Sequence, residues 1–113
     1  MALEIRENQS LKNYNTFGID VLGKYITRAH SEDEIKEAIE FSRHKQLPLL
    51  TLGGGSNVLF TKNQEAVILI NRVLGKKIEA ETESVYSVSA GAGENWHDFV
   101  MTAIENNWAG VEN

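Results

Sequence analysis

The stretch from Lys24 to Gly55 narrows the possible folds more than any other part of the chain. Lys24 to Ala29 reads as a strand. Behind it Ser31-Glu32-Asp33-Glu34 reads as a capping box, with the Ser31 hydroxyl and the Glu34 carboxylate satisfying amides that a helix start leaves open. Ile35, Ala38, Ile39 and Ser42 recur at three- and four-residue spacing on one face. Arg43, His44 and Lys45 put positive charge near the negative end of the helix. Pro48 stops that helix and opens the apolar run Leu49-Leu50-Thr51-Leu52, which ends in three glycines. Strand, helix and strand in this order predict a βαβ unit with parallel strands and a right-handed crossover.

Beyond the glycines the chain reads mostly as β, with strand-like segments at Val58 to Phe60, Ala66 to Ile70, Lys77 to Ala80 and Val85 to Ala90. A second helix is expected after Gly91-Ala92-Gly93, because Trp96, Phe99, Val100, Ala103 and Ile104 form an apolar stripe at helical spacing; Gly110 is placed to end it. The expected fold class is therefore mixed α/β (α+β): a βαβ unit, then further strands and a helix.

Charge and composition exclude several functions. With 113 residues there is room for one domain's core but not for a second full domain. A net charge of −5 leaves no basic stripe with which to bind nucleic acid, so any bound phosphate has to be held by backbone amides and helix ends. Cysteine is absent, and His30, His44 and His97 are scattered without paired-ligand spacing, so no metal site is expected. The longest apolar run, Ala66 to Ile70, falls far short of the roughly 20 residues that span a bilayer. The N-terminus carries no basic-then-apolar leader, and the expected location is cytoplasmic.

Gly53-Gly54-Gly55-Ser56-Asn57 is the candidate binding loop. Successive glycines remove the β-carbons that would keep phosphates away from the backbone, and Ser56 and Asn57 add short polar side chains. A ligand-free turn between strands accounts for the same glycines. A Walker loop and a Rossmann fingerprint are both excluded, since each needs a helix opening at the loop and Ser56-Asn57-Val58 leads into β-like sequence. Gly91-Ala92-Gly93, at a strand end before a helix, is either a second place for an anion or ribose hydroxyl or a plain turn.

Three segments in this order and spacing, Tyr14-Asn15-Thr16-Phe17-Gly18, Leu52-Gly53-Gly54-Gly55-Ser56-Asn57-Val58-Leu59 and Gly91-Ala92-Gly93-Glu94-Asn95-Trp96-His97-Asp98, resemble the UDP-N-acetylenolpyruvoylglucosamine reductase family. Ile70-Asn71-Arg72 and Trp108-Ala109-Gly110-Val111-Glu112-Asn113 extend the likeness over nearly the whole chain. The resemblance implies the N-terminal part of a two-subdomain FAD-binding fold of the vanillyl-alcohol-oxidase type. The first subdomain would run over about residues 20–70 and the second would begin at about 71. It implies that Gly53, Gly54, Gly55, Ser56 and Asn57 hold the FAD pyrophosphate, that Gly91 and Gly93 line the same cofactor, and that Asn71 faces it. FAD is expected to be non-covalent, as no histidine lies beside the glycine loop. Tyr14 to Gly18 is read as structural, Trp96 and Phe99 as helix core, and His97 as solvated or capping.

In that family NADPH reduces the flavin, which reduces the enolpyruvyl double bond of a UDP-sugar in peptidoglycan synthesis. The catalytic serine, glutamate and arginine follow the segment matched here, as does the substrate-binding domain. No residue of this chain inherits a catalytic role, the chain alone is expected to be inactive, and its end is expected to be a cut, with the exposed surfaces favouring self-association. Two other readings stand beside this one: another flavin oxidase or dehydrogenase of the same superfamily, and a small stand-alone binding or scaffold domain.

Overall fold

A computed structural model describes residues 3–112. The chain divides into two compact units, Met1–Arg72 and Val73–Asn113.

The first unit is built around its most apolar run. β4 (Gln64–Asn71) is buried continuously from Ala66 onward, as a strand covered on both faces must be. It pairs in parallel with β2 (Leu22–Ala29) on one side and with β3 (Leu49–Leu52) on the other. β1 (Ile5–Ser10) adds to the outer side of β2 in antiparallel sense, giving the order β1-β2-β4-β3. β2 and β3 thus run parallel as predicted, but β4 separates them. One face of the sheet packs Ile26, Leu52, Ile68 and Ile70 against Leu11 and Phe60. The other packs Ala29 and Leu69 against Ala38 of α1 (Glu32–Lys45). Full burial of a leucine or isoleucine is worth about 1.5–3 kcal/mol, so these side chains hold the sheet between its two covers.

Helix α1 begins as predicted. Ser31 Oγ accepts the Glu34 amide at 3.2 Å, while the Glu34 carboxylate reaches one residue further back than a standard capping box and accepts the His30 amide at 2.7 Å. Its C-terminus closes with Gln46 in the left-handed region at φ 56° and with the Leu47 amide on Ser42 O at 3.0 Å, before Pro48.

Two segments fold differently from the sequence expectation. Residues 58–60 form no strand: they run as irregular chain that buries Phe60 and packs Val58 on the core. The strand count is made up instead by β1, whose side chains are nearly all exposed.

The second unit contains the antiparallel pair β5 (Lys76–Glu81) and β6 (Tyr86–Ala90), followed by α2 (Trp96–Glu105). Asn95 caps α2, its side-chain oxygen accepting the Asp98 amide at 3.0 Å. The helix stops at Glu105, with Asn107 in the left-handed region at φ 60°, five residues earlier than Gly110 had suggested. Among the described residues of this unit Ala103 is the one buried residue. Trp96, read as helix core, is 60% exposed and stacks on Phe99 with ring centroids 5.6 Å apart.

Candidate functional site

The glycine loop leaves the C-terminal end of β3 with its glycines in two different environments. Gly53 and Gly54 are exposed, and a β-carbon at either would meet nothing within 4 Å. Gly55 is buried at φ 76°, and a β-carbon there would lie 2.0 Å from the Tyr14 carbonyl oxygen. The first two glycines therefore keep an outer face bare, and the third lets the backbone settle onto the chain beneath it. Ser56 and Asn57 complete the exposed rim.

The chain beneath Gly55 is the Tyr14–Gly18 motif. A single 3-10 turn, Lys12–Tyr14, brings the chain round, and the Thr16 amide donates to Gly55 O at 3.1 Å. Asn15, buried beside it, donates to Leu11 O at 2.8 Å and to Ile19 O at 3.1 Å, and accepts the Ile19 amide at 3.0 Å. These three bonds fix the bend on which the loop rests. Sequence reasoning took the motif as structural; its contact with Gly55 carried no local signal, because the partners lie some forty positions apart.

The loop's polarity comes from its amides. Among the described residues, none of the backbone N–H groups of Gly53, Gly54, Gly55, Ser56 and Asn57 donates to a protein acceptor. Backbone donors left without protein partners on a loop poor in side chains are open to an anion. Asn71 belongs to the same end of the sheet: Leu52 pairs with Ile70, so Gly53 and Asn71 leave their strands side by side. Asn71 is nearly buried, 9% exposed.

The turn at 91–93 is built differently. The Gly91 amide donates to Gly75 O and the Gly93 amide to Val73 O, both at 2.8 Å, and the Glu94 amide donates to Gly91 O at 3.0 Å. A β-carbon on Gly91 would lie 2.2 Å from Val73 O. Glu94 locks the same corner, accepting the Gly75 amide at 2.6 Å with Lys76 Nζ 3.7 Å away. The free amides expected here from sequence are thus engaged in the fold. Glycine is needed at 91 for close packing of main chain on main chain. His97 is exposed on the first turn of α2.

Among the described residues no group of three His, Asp or Glu side chains could hold a metal ion, and no helix is long and apolar enough to cross a membrane. At the glycine loop the features with binding chemistry are the bare glycine face and the amides.

These features lie at one end of a mixed sheet backed by a helix and mark an α/β unit with main-chain donors left open, and comparison with known proteins gives its class: residues 23–113 match the FAD binding domain family, and the chain belongs to it. It is similar over its full length to the UDP-N-acetylenolpyruvoylglucosamine reductase of Pseudomonas aeruginosa, with 43% identity over 113 residues, which are 33% of that protein. The reductase of the same name from Flavobacterium johnsoniae is 42% identical over 111 residues, covering 98% of this chain and 32% of the relative. A crystal structure of UDP-N-acetylenolpyruvylglucosamine reductase from Thermus caldophilus shares the fold, with a TM-score of 0.60 at 21% identity over 94% of this chain and 34% of that one. The chain spans about a third of the length of the relatives it matches. The mixed α/β fold expected from the sequence agrees with this family.

Proposed function

We propose that the chain is the FAD-binding portion of an NADPH-dependent reductase that converts UDP-N-acetylglucosamine enolpyruvate to UDP-N-acetylmuramate during peptidoglycan synthesis in the cytoplasm. The observation that carries this reading is the row of unengaged amides at 53–57 beside two glycines, Gly53 and Gly54, that are open to solvent. In a chain of net charge −5, main-chain donors are the economical way to hold a pyrophosphate. Gly53 and Gly54 would admit the phosphates, the amides of Gly55, Ser56 and Asn57 would bond them, and Asn71 would offer its side chain from the adjoining strand end. Gly91 and Gly93 are left to line a cofactor through bare main chain, their amides being spent. FAD, when bound, supplies the hydride-carrying chemistry; no side chain of this portion takes a catalytic role, and turnover requires the rest of the reductase.

The test is an FAD titration of the chain by calorimetry or flavin fluorescence, repeated with Gly54→Val. That side chain has open space around it, so the variant should fold unchanged while blocking the approach of phosphate. Each charge-assisted bond is worth about 1.5–3 kcal/mol, so loss of one weakens binding roughly tenfold or more. Saturable binding unaltered by Gly54→Val would refute the placement, and absence of binding to the wild type would refute an FAD site sufficient within this chain.

A further inference from the structure

The first unit has a second concave surface that the FAD reading does not use. A cleft of about 370 Å³, within the range of small-ligand sites, is lined by Glu4, Arg6, Tyr14, Arg28, His30 and Glu34 among others. Its two carboxylates and two guanidinium groups balance in number, but they are not paired one to one. Glu4 is paired with Arg6 at 2.8 Å. Glu34 accepts the His30 amide at 2.7 Å and has His30 Nδ1 at 3.6 Å. Arg28 has no carboxylate partner among the described residues.

Arg28 is nevertheless held in place. One guanidinium nitrogen donates to the Tyr14 hydroxyl, and the guanidinium carbon lies 5.4 Å from the centre of the Tyr14 ring. A cation–π contact and a hydrogen bond to the same ring orient the planar fork and leave its remaining donors unspent. Such a pre-oriented arginine suits a phosphoryl oxyanion, which it can meet with two parallel bonds. Tyr14 also has its carbonyl under Gly55, so one residue forms a wall of the cleft and a support of the glycine loop.

We propose that this cleft is a second anion subsite, in which Arg28, set by Tyr14, binds a phosphoryl group. The group comes either from the dinucleotide held at the glycine loop or from a separate small phosphate, and the two sources are separable by experiment. The proposal does not depend on FAD being the ligand of the glycine loop.

The chain is titrated with inorganic phosphate while the Arg28 side-chain N–H signal is followed by NMR, in wild type, Arg28→Gln, Arg28→Lys and Gly54→Val. Arg28 is exposed, so its variants should keep the backbone spectrum of the folded chain. The expected result is saturable binding with a dissociation constant below about 1 mM in wild type and Gly54→Val. Binding should be about tenfold weaker in Arg28→Gln and intermediate in Arg28→Lys, which keeps the charge but not the fork. If saturating FAD abolishes the phosphate response, the phosphoryl group belongs to the dinucleotide; if the response persists, it belongs to a free phosphate, and either result supports the subsite. A non-saturating response at Arg28, or one of equal affinity in Arg28→Gln, would overturn it. Failure of FAD to bind while phosphate still binds at Arg28 would sink the FAD reading alone.

Discussion

Replacing Gly55 by alanine should damage the first unit far more than the same change one residue earlier. The backbone at Gly55 has φ 76°, where a β-carbon costs about 1–2 kcal/mol. That β-carbon would lie 2.0 Å from Tyr14 O, 2.8 Å from Tyr14 C and 2.9 Å from Asn15 Cα, all main-chain atoms that cannot swing aside. Overpacking of this kind adds about 1–3 kcal/mol, so Gly55→Ala is expected to cost about 2–5 kcal/mol. At roughly 4–8 °C per kcal/mol for a unit of this size, Tm should fall by at least about 8 °C. Gly54→Ala meets open space at an ordinary φ, and the lost freedom of the unfolded chain makes it neutral or stabilising by up to about 1 kcal/mol. Urea and thermal unfolding of both variants, followed by circular dichroism without FAD, measure the difference. The reasoning is refuted if Gly55→Ala unfolds with wild-type stability, or if the two variants are destabilised equally.

Two further outcomes follow from the same structure. Asn15→Ala leaves Leu11 O with its bond from the Tyr14 amide but removes the side-chain partner of Ile19 O and of the Ile19 amide, and each group left unpaired costs about 1–3 kcal/mol where water cannot replace the amide; a loss above about 2 kcal/mol by urea unfolding is expected. Tyr86 stands opposite Glu81 in the β5–β6 pair, and that carboxylate raises its pKa above the ordinary tyrosine range. The unfolded chain therefore gives up this proton first, so the associated stability is present below the ordinary tyrosine pKa and is lost as pH rises through the folded value. The absorbance titration that vanishes in Tyr86→Phe should shift to lower pH in Glu81→Gln, and no shift would remove Glu81 as the cause.

The elements legible in the sequence were those whose signal is local. Helix α1 carried its cap, its charge gradient and its stop within one window, and β4 announced a two-sided burial by an unbroken apolar run. β1 was illegible because Ile5–Ser10 has no buried alternation; pairing with β2 makes it a strand, and that partner lies well downstream. Residues 58–60 misled in the opposite sense, their apolar character serving to cover the core beneath an irregular segment. At the site, glycine content pointed to two loops alike, and the structure distinguishes them by where the amides go: unengaged at 53–57, bonded to the main chain at 91 and 93. The role of Tyr14 under Gly55 and beside Arg28 is a tertiary fact with no periodicity to betray it.

The strand order has a consequence for synthesis. The strand that joins β2 to β3 is β4, which follows both along the chain. While the protein is being made, the glycine loop emerges before the strand against which β3 must align, and the two earlier parallel strands have no shared neighbour until Asn71 has left the ribosome. The end of the sheet that carries the loop is therefore completed only when the last strand of the unit slots between the other two.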